Sequence, residues 1–126
     1  MITMFPSFEK QKYLNLETFR KSGVGVRTPV WFVQDGKLLY VRTIADSGKV
    51  KRIRNNPQVN IAPCKVDGTL LDDWLQAQAC EILDEEIDSK VDRLLGKKYG
   101  LMKTIFSMAG SRDGRKNTIL ELKERE

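Results

Sequence analysis

The order of apolar and polar positions predicts strands in the first two thirds of the chain. Each predicted strand is either an alternation of apolar and polar residues or a run of β-branched and aromatic residues. They cover residues 12–19, 26–34, 38–43, 59–66 and 74–83. Asp35-Gly36 and Asp67-Gly68 are typical of tight turns. Strands joined by short turns in this way favour an antiparallel barrel.

The later third of the chain follows a helical pattern. Ile87, Val91, Leu94 and Leu95 form one apolar stripe after an acidic start, and they predict a helix that ends near Gly100. Residues 101–109 predict a second, shorter helix, and 110–116 a charged loop. Residues 118–122 alternate as a closing strand. The prediction is therefore a mainly β fold with a few helices, a six-stranded antiparallel barrel.

Length and composition predict one domain. At 126 residues, with neither repeats nor a low-complexity linker, residues 1–126 are expected to share one core. Residues 1–10 and 123–126 are expected to be frayed. The longest apolar runs are only a few residues, so no membrane span is expected.

The chemistry-bearing residues exclude several classes of site. The chain has no histidine, which removes His-based acid–base catalysis, histidine-ligated haem and the common zinc sets. Cys64 and Cys80 stand apart, so a cytoplasmic protein with reduced thiols and no metal is expected. The net charge of +5 makes an anionic partner plausible but does not choose among them. Any redox chemistry would then come from a cofactor.

One segment, residues 43–57, combines strand end, helix start and positive charge. A strand ends at Thr43, Ser47-Gly48 can begin a helix, four cations follow, and Pro57 ends the segment. Free amides of a first helical turn, two hydroxyls and the Lys49 ammonium could converge on one phosphate. The same pattern also fits a solvated basic helix without a ligand.

Several phrases of this sequence together resemble a known superfamily. Arg27 followed by Thr43-x-x-x-Ser47-x-Lys49 and Asn55-Asn56-Pro57 is similar to the flavin-phosphate segment of the pyridoxamine 5'-phosphate oxidase-like, FMN-binding split β-barrel proteins. The further phrases that resemble the F420-dependent oxidoreductase branch are Thr28-Pro29-Val30-Trp31-Phe32, Ala45-Asp46-Ser47-Gly48-Lys49, Ala62-Pro63-Cys64 and Lys98-Tyr99-Gly100. The resemblance runs over most of the chain, from about residue 12 to residue 122.

The resemblance implies a homodimer of split barrels with two cofactor sites at the interface. It places the cofactor phosphate on Thr43, Ser47 and Lys49, with help from Arg27. It places the ring against Thr28, Pro29 and Val30. No side chain is assigned as a catalytic acid or nucleophile. Each position also has a plain structural interpretation, as a strand end, a helix cap or barrel wall.

Differences from pyridoxamine 5'-phosphate oxidase itself exclude one activity. That oxidase grips its phosphorylated substrate with an Arg-x-His element and an Arg-Leu-x-Pro ending. This chain has neither, so pyridoxamine phosphate oxidation is not expected. Missing histidine also disfavours a haem-degrading role.

The resulting hypothesis is an oxidoreductase in which a reduced deazaflavin or flavin delivers hydride to an electron-poor small organic substrate. F420 is preferred because its phosphodiester and glutamate tail would profit from the surplus of Lys and Arg, and FMN is the alternative. A non-catalytic carrier of the same cofactor is the second interpretation. A basic barrel that binds nucleic acid is the third, and it is disfavoured because the aromatic residues lie among aliphatic strand residues.

Overall fold

The computed structural model describes residues 8, 10–100 and 116–125. Within these residues the chain forms seven strands and two helices. In chain order they are β1 (Tyr13–Phe19), β2 (Gly25–Val30), β3 (Val33–Asp35), β4 (Leu38–Ile44), α1 (Gly48–Asn55), β5 (Gln58–Cys64), β6 (Leu75–Ile82), α2 (Glu85–Tyr99) and β7 (Asn117–Glu124). The predicted second helix over 101–109 and most of the charged loop lie outside the described residues.

All seven strands form one antiparallel sheet in the order β2-β1-β5-β6-β7-β4-β3. The sheet curls into a half-barrel, which confirms the expected split-barrel class. The count is seven strands instead of six, because residues 26–34 form two strands. The chain turns at Trp31 and Phe32, so that β2 pairs with β1 while β3 pairs with β4. Two residues therefore link the opposite edges of the sheet.

A hydrophobic core fills the inside of the half-barrel. Because directly opposed residues in a ladder share a face, the register assigns alternate residues of each strand to this inner face. Leu14, Leu16, Val41 and Leu120 are fully buried there. Helix α1 adds its own buried side chains to the same core, chiefly Val50. This packing fixes α1 against the barrel, although the helix is short.

The second helix covers part of the outer face. Val91, Leu95 and Tyr99 of α2 pack against outward-facing residues such as Val33 and Ile119. The helix begins where the Asp84 carboxylate accepts hydrogen bonds from the amides of residues 86 and 87. It ends at Gly100, whose φ of 58° suits glycine. Both ends agree with the sequence-based prediction.

Three described residues from the segments expected to be frayed belong to the folded structure. Lys123 and Glu124 were expected to be frayed, but they belong to β7 and pair with Gln78 and Ala77 of β6. Phe8 was also expected in a frayed segment, yet it is buried against Phe32 in the inner core. For these three residues the expectation is wrong, because neighbouring strands satisfy the backbone of β7 and the core accepts the Phe8 ring.

Candidate functional site

The β4–α1 junction brings together three of the residues singled out in the sequence. Thr43 lies at the end of β4, is buried, and faces Thr118 across the ladder. Ser47 occupies the cap position of α1, its amide bonded to the Ile44 carbonyl at 3.1 Å. Lys49 follows in the first turn of the helix. The unpaired amides of that first turn add donors, which makes the junction suited to an anion.

The Ser47 hydroxyl is unusual for a helix cap. A serine in this position ordinarily accepts a hydrogen bond from an amide of the first turn. Here the Ser47 side chain makes no such bond, and its buried Oγ has no hydrogen-bond partner within the described part of the protein. Buried hydroxyls are normally paired. The hydroxyl therefore remains available to a ligand.

The Lys49 ammonium is partly buried beside another cation. Its pKa lies below the ordinary value because burial disfavours the charged form and the Arg52 guanidinium repels it. Among the described residues no carboxylate forms an ion pair with Lys49. A phosphate or carboxylate placed at the junction would relieve both effects.

Arg27 lies elsewhere, on the outer face of the sheet. Its Nε donates to Glu17 Oε2 at 2.9 Å, and its guanidinium carbon lies 4.9 Å from the centre of the Trp74 ring. Asn60 also donates to Glu17, at 2.9 Å. Burial alone would raise the pKa of Glu17, but the bonds from Asn60 and Arg27 lower it. The register puts Thr43 on the opposite, inner face, so one chain does not bring these two residues together.

The three residues expected to face a ring lie on alternate faces of β2. Thr28 and Val30 oppose Leu16 and Leu14 and therefore share the inner face. Pro29 is exposed on the outer face, with Arg27. A flat ring can contact the side chains of only one face of β2, either Thr28 and Val30 or Pro29. The residues of the other face could contact the ring only through their backbone atoms.

A basic cleft that the sequence analysis did not predict lies beside the junction. It has a volume of about 410 Å³. Its walls come from the end of β1 and one face of α1, and the lining residues are Phe19, Arg20, Lys21, Gly48, Lys51, Arg52 and Asn55. The four helix residues follow the spacing i, i+3, i+4, i+7, which puts them on one side of a helix. The helical spacing of these four residues could be predicted from the sequence, but the residues that form the opposite wall could not.

Arg52 is held in place within this cleft. Its Nε donates to the buried Thr18 hydroxyl at 2.6 Å. A Cβ atom on Gly48 would lie 2.8 Å from Arg52 Nη1, so the glycine leaves room for the guanidinium over the first helical turn. Burial and the neighbouring Arg20 lower the pKa of Arg52. Arg54, by contrast, is ion-paired with Glu81 through two contacts of 2.9 and 3.0 Å.

Two other kinds of site are absent from the part of the chain that the structure describes. Across residues 8, 10–100 and 116–125 no group of three or more acidic or cysteine residues could hold a metal ion. No helix in the described part of the chain is long and apolar enough to cross a membrane.

Comparison with solved structures shows what the fold is similar to. HutZ, the heme storage protein from Vibrio cholerae, matches with a TM-score of 0.72 and 18% identity over 94% of this chain and 84% of that chain. A candidate pyridoxamine 5'-phosphate oxidase from Listeria innocua matches with a TM-score of 0.67 and 16% identity over 94% and 88% of the two chains. A protein described as an F420 reductase matches with a TM-score of 0.60 and 18% identity over 94% and 90%.

At these identities the likeness establishes the fold alone. The chain has the split-barrel fold of the pyridoxamine 5'-phosphate oxidase-like proteins, which confirms at that level the resemblance inferred from the sequence. No protein-family model matches the chain, and no curated protein matches it in sequence. Because the similar structures are described in such different terms, the function must be argued from the site.

Proposed function

We propose that this protein binds the phosphorylated end of a flavin-type cofactor at the β4–α1 junction and supports hydride transfer to an electron-poor small organic substrate. F420 is the preferred cofactor and FMN the alternative. The observation that carries the proposal is the buried Ser47 hydroxyl, which has no partner in the described residues and belongs to the residue two positions before the partly buried Lys49. Both groups are arranged for an anion that the protein itself does not supply.

The donors at this junction fit a phosphate. Ser47 can donate one O–H, Lys49 can donate from its ammonium, and the first-turn amides of α1 point out of the helix end. Thr43 lies at the end of the neighbouring strand with its side chain on the inner face. Charge-assisted hydrogen bonds of this kind are each worth about 1.5–3 kcal/mol. These residues would hold the cofactor and orient it.

The preference for F420 rests on charge beyond the phosphate site. FMN ends in one dianionic phosphate, which Ser47, Thr43 and Lys49 could satisfy. F420 continues into a glutamate tail, and the neighbouring cleft offers further cations. That one of the similar structures is described as an F420 reductase adds weight to this choice.

The chemistry of hydride transfer would be supplied by the bound cofactor. The protein's own residues would position it and exclude water, and none is assigned as a catalytic acid or nucleophile. Tyr99 is already engaged: burial raises its pKa to about 12, and its hydroxyl is bonded to backbone groups of Lys12 and Phe32. A proton for the product would then come from water.

A homodimer is part of the proposal. Arg27, Pro29 and Trp74 occupy the outer face, away from the junction of the same chain. In a dimer with sites at the interface, this face could meet the cofactor held by the partner chain.

The cysteines Cys64 and Cys80 are both free, which agrees with a cytoplasmic protein.

Binding and turnover test the proposal separately. Purified protein would be titrated with F420 and with FMN, followed by absorbance and fluorescence, and then mixed with reduced cofactor and a panel of electron-poor alkenes, quinones and nitroaromatics. Saturable F420 binding that weakens in Lys49→Ala, together with oxidation of F420H2 by an acceptor, is the expected result. A Lys37→Ala variant, with its exposed side chain in the β3–β4 turn, is the control.

Three results would change the conclusion. Tight FMN binding without F420 affinity would replace the preferred cofactor by the alternative. Cofactor binding with no turnover across the panel would favour the non-catalytic carrier. Absence of binding to either cofactor would remove the proposal altogether.

A further inference from the structure

The basic cleft beside the β4–α1 junction has a charge pattern of its own. Arg20 and Lys21 lie on one wall, and Lys51 and Arg52 on the other. No acidic side chain is found among the cleft-lining residues that the structure describes. None of the four cations forms an ion pair with any described residue. Arg54, one turn away from Lys51, is paired with Glu81 and lies outside the cleft.

The cleft brings its cations close together, and Arg20, Lys21 and Lys51 among them are exposed to solvent. Arg52 is fixed by its 2.6 Å bond to Thr18, so it cannot swing away from Arg20 without losing that bond. Repulsion from Arg20 contributes to the lowered pKa of Arg52. Like charges held close together in a concave surface focus a positive potential that attracts anions.

The shape of the cleft indicates how many charges the ligand carries. From Gly48 to Asn55 the wall follows seven steps along α1, or about 10 Å at the usual rise per residue. The helix cations Lys51 and Arg52 are adjacent in the middle of this wall, and Arg20 and Lys21 line the other wall. Four cations exceed the charge that one dianionic phosphate neutralises, and Phe19 adds an apolar side chain to the lining, suited to the aliphatic part of a chain.

We propose that this cleft binds an extended oligoanion, a chain that carries several carboxylates or phosphates along its length. The residues that recognise it are Arg20 and Lys21 from the turn after β1 and Lys51 and Arg52 from α1. The site is distinct from the Ser47 and Lys49 donors, which are not among its lining residues. The ligand is either the tail of a cofactor held at the junction or a separate oligoanion. The first alternative rests on the proposed function, and the second does not.

A direct binding measurement tests the cleft without any cofactor. Isothermal titration calorimetry at fixed ionic strength would compare tetra-γ-glutamate, tripolyphosphate and inorganic phosphate. The cleft variant is the double substitution Arg20→Ala and Lys21→Ala, whose side chains are exposed and can be removed without opening the core. The control is Lys37→Ala with Lys123→Ala, which removes the same charge from exposed positions near the β3 edge of the sheet.

We expect both oligoanions to bind the unmodified protein with measurable saturation, and inorganic phosphate to bind much more weakly. The cleft variant should lose about tenfold in oligoanion affinity, while the control variant should keep it. Equal losses in the two double variants would overturn the proposal, because net charge alone would then explain binding. So would equal affinity for phosphate and for the oligoanions.

Two further titrations distinguish the sources and separate this inference from the proposed function. If the oligoanion is the cofactor tail, the cleft variant should weaken F420 but not FMN, and tetra-γ-glutamate should compete with F420 only. If the oligoanion is a separate ligand, the cleft variant should leave F420 affinity unchanged, and tetra-γ-glutamate should bind equally well to protein saturated with F420. Oligoanion binding without any cofactor binding would support the proposed cleft and overturn the proposed function. If no oligoanion binds and the cleft variant binds F420 as tightly as the unmodified protein, the proposed cleft is overturned and the proposed function stands.

Discussion

Tyr99 and Phe32 are joined by two short contacts between one hydroxyl and one peptide backbone. The Phe32 amide donates to the Tyr99 hydroxyl at 3.1 Å, and the same hydroxyl lies 3.0 Å from the Phe32 carbonyl. It also lies 2.8 Å from the carbonyl of Lys12, so its single proton serves two acceptors. The ring stacks on Trp31 with centroids 4.1 Å apart. The last turn of α2 thus holds the bend that separates β2 from β3.

Replacing Tyr99 by phenylalanine should destabilise the protein through this bend. The substitution keeps the ring and its stacking on Trp31, but it leaves the buried Phe32 amide without its partner. An unsatisfied buried amide costs about 1–3 kcal/mol. Chemical denaturation should therefore show a lower free energy of unfolding by that amount. Tyr40→Phe is the control, since the Tyr40 hydroxyl makes one partly buried bond to Glu121, and a Tyr99→Phe loss no larger than that of the control would contradict the account.

The same hydroxyl predicts a dependence on alkaline pH. Burial raises the pKa of Tyr99 from 10.0 to about 12, so the folded state keeps its proton at a pH where the unfolded state has lost it. The stabilisation is complete below pH 10.0 and is lost as the pH rises toward about 12. The unfolding free energy of Tyr99→Phe should fall less steeply over that range. Parallel curves for the two proteins would show that Tyr99 does not titrate in this way.

Ser47→Ala should affect stability and binding in different directions. A bonded serine cap ordinarily contributes about 0.5–2 kcal/mol, but here the hydroxyl is buried and bonds to no described residue. Its removal should leave the thermal midpoint of the cofactor-free protein unchanged or slightly higher. Cofactor affinity should nevertheless fall by about 1–3 kcal/mol if the hydroxyl meets the phosphate. A lower midpoint with unchanged affinity would make Ser47 a purely structural cap.

Lys49 predicts that cofactor affinity falls at alkaline pH earlier than for an ordinary lysine. Burial and Arg52 lower its pKa below 10.5, so in the cofactor-free protein the ammonium loses its proton as the pH rises through that lowered value. Affinity measured from about pH 7 to about pH 10 should decline over the upper part of the range. Lys49→Arg should remove the decline, because guanidinium stays charged. Lys49→Ala should be weak at every pH, and an unchanged decline in Lys49→Arg would exclude Lys49 as its source.

Gly48→Ala should weaken the basic cleft without weakening the fold. Alanine favours a helix over glycine by about 1 kcal/mol, so the unfolding free energy should hold or rise. The added Cβ would lie 2.8 Å from Arg52 Nη1 and would displace that guanidinium from the first turn. Tetra-γ-glutamate affinity measured by calorimetry should decrease. Gly96→Ala on α2 is the matched control, because a Cβ there meets nothing within 4 Å.

The sequence was most informative where local chemistry decides the structure. The start of α2 at Asp84 and its end at Gly100 follow from capping, and both could be predicted. The break at Trp31 and Phe32 could not, because residues on either side favour strand equally and only their different partners separate them. Local strand propensity does not determine with which edge of the sheet a strand will pair.

Site prediction had the same limit. Ser47 and Lys49 are close in sequence, so their proximity at one helix start was predictable. Arg27 was also expected to assist them, and that stays a prediction. The ladder register puts Arg27 and Thr43 of one chain on opposite faces of the sheet, which spacing along one segment does not reveal. The basic cleft was missed for a related reason: Arg20 and Lys51 are distant in sequence, and only the packing of α1 against β1 makes them neighbours.

The two-residue link at Trp31 and Phe32 has a mechanical implication. Trp31 and Phe32 connect the two edge strands of the sheet, and Tyr99 of α2 contacts both residues. A displacement of this helix would therefore shift β2 and β3 together. A molecule bound along β2 would therefore respond to a change at the last turn of α2, which contacts this link through Tyr99.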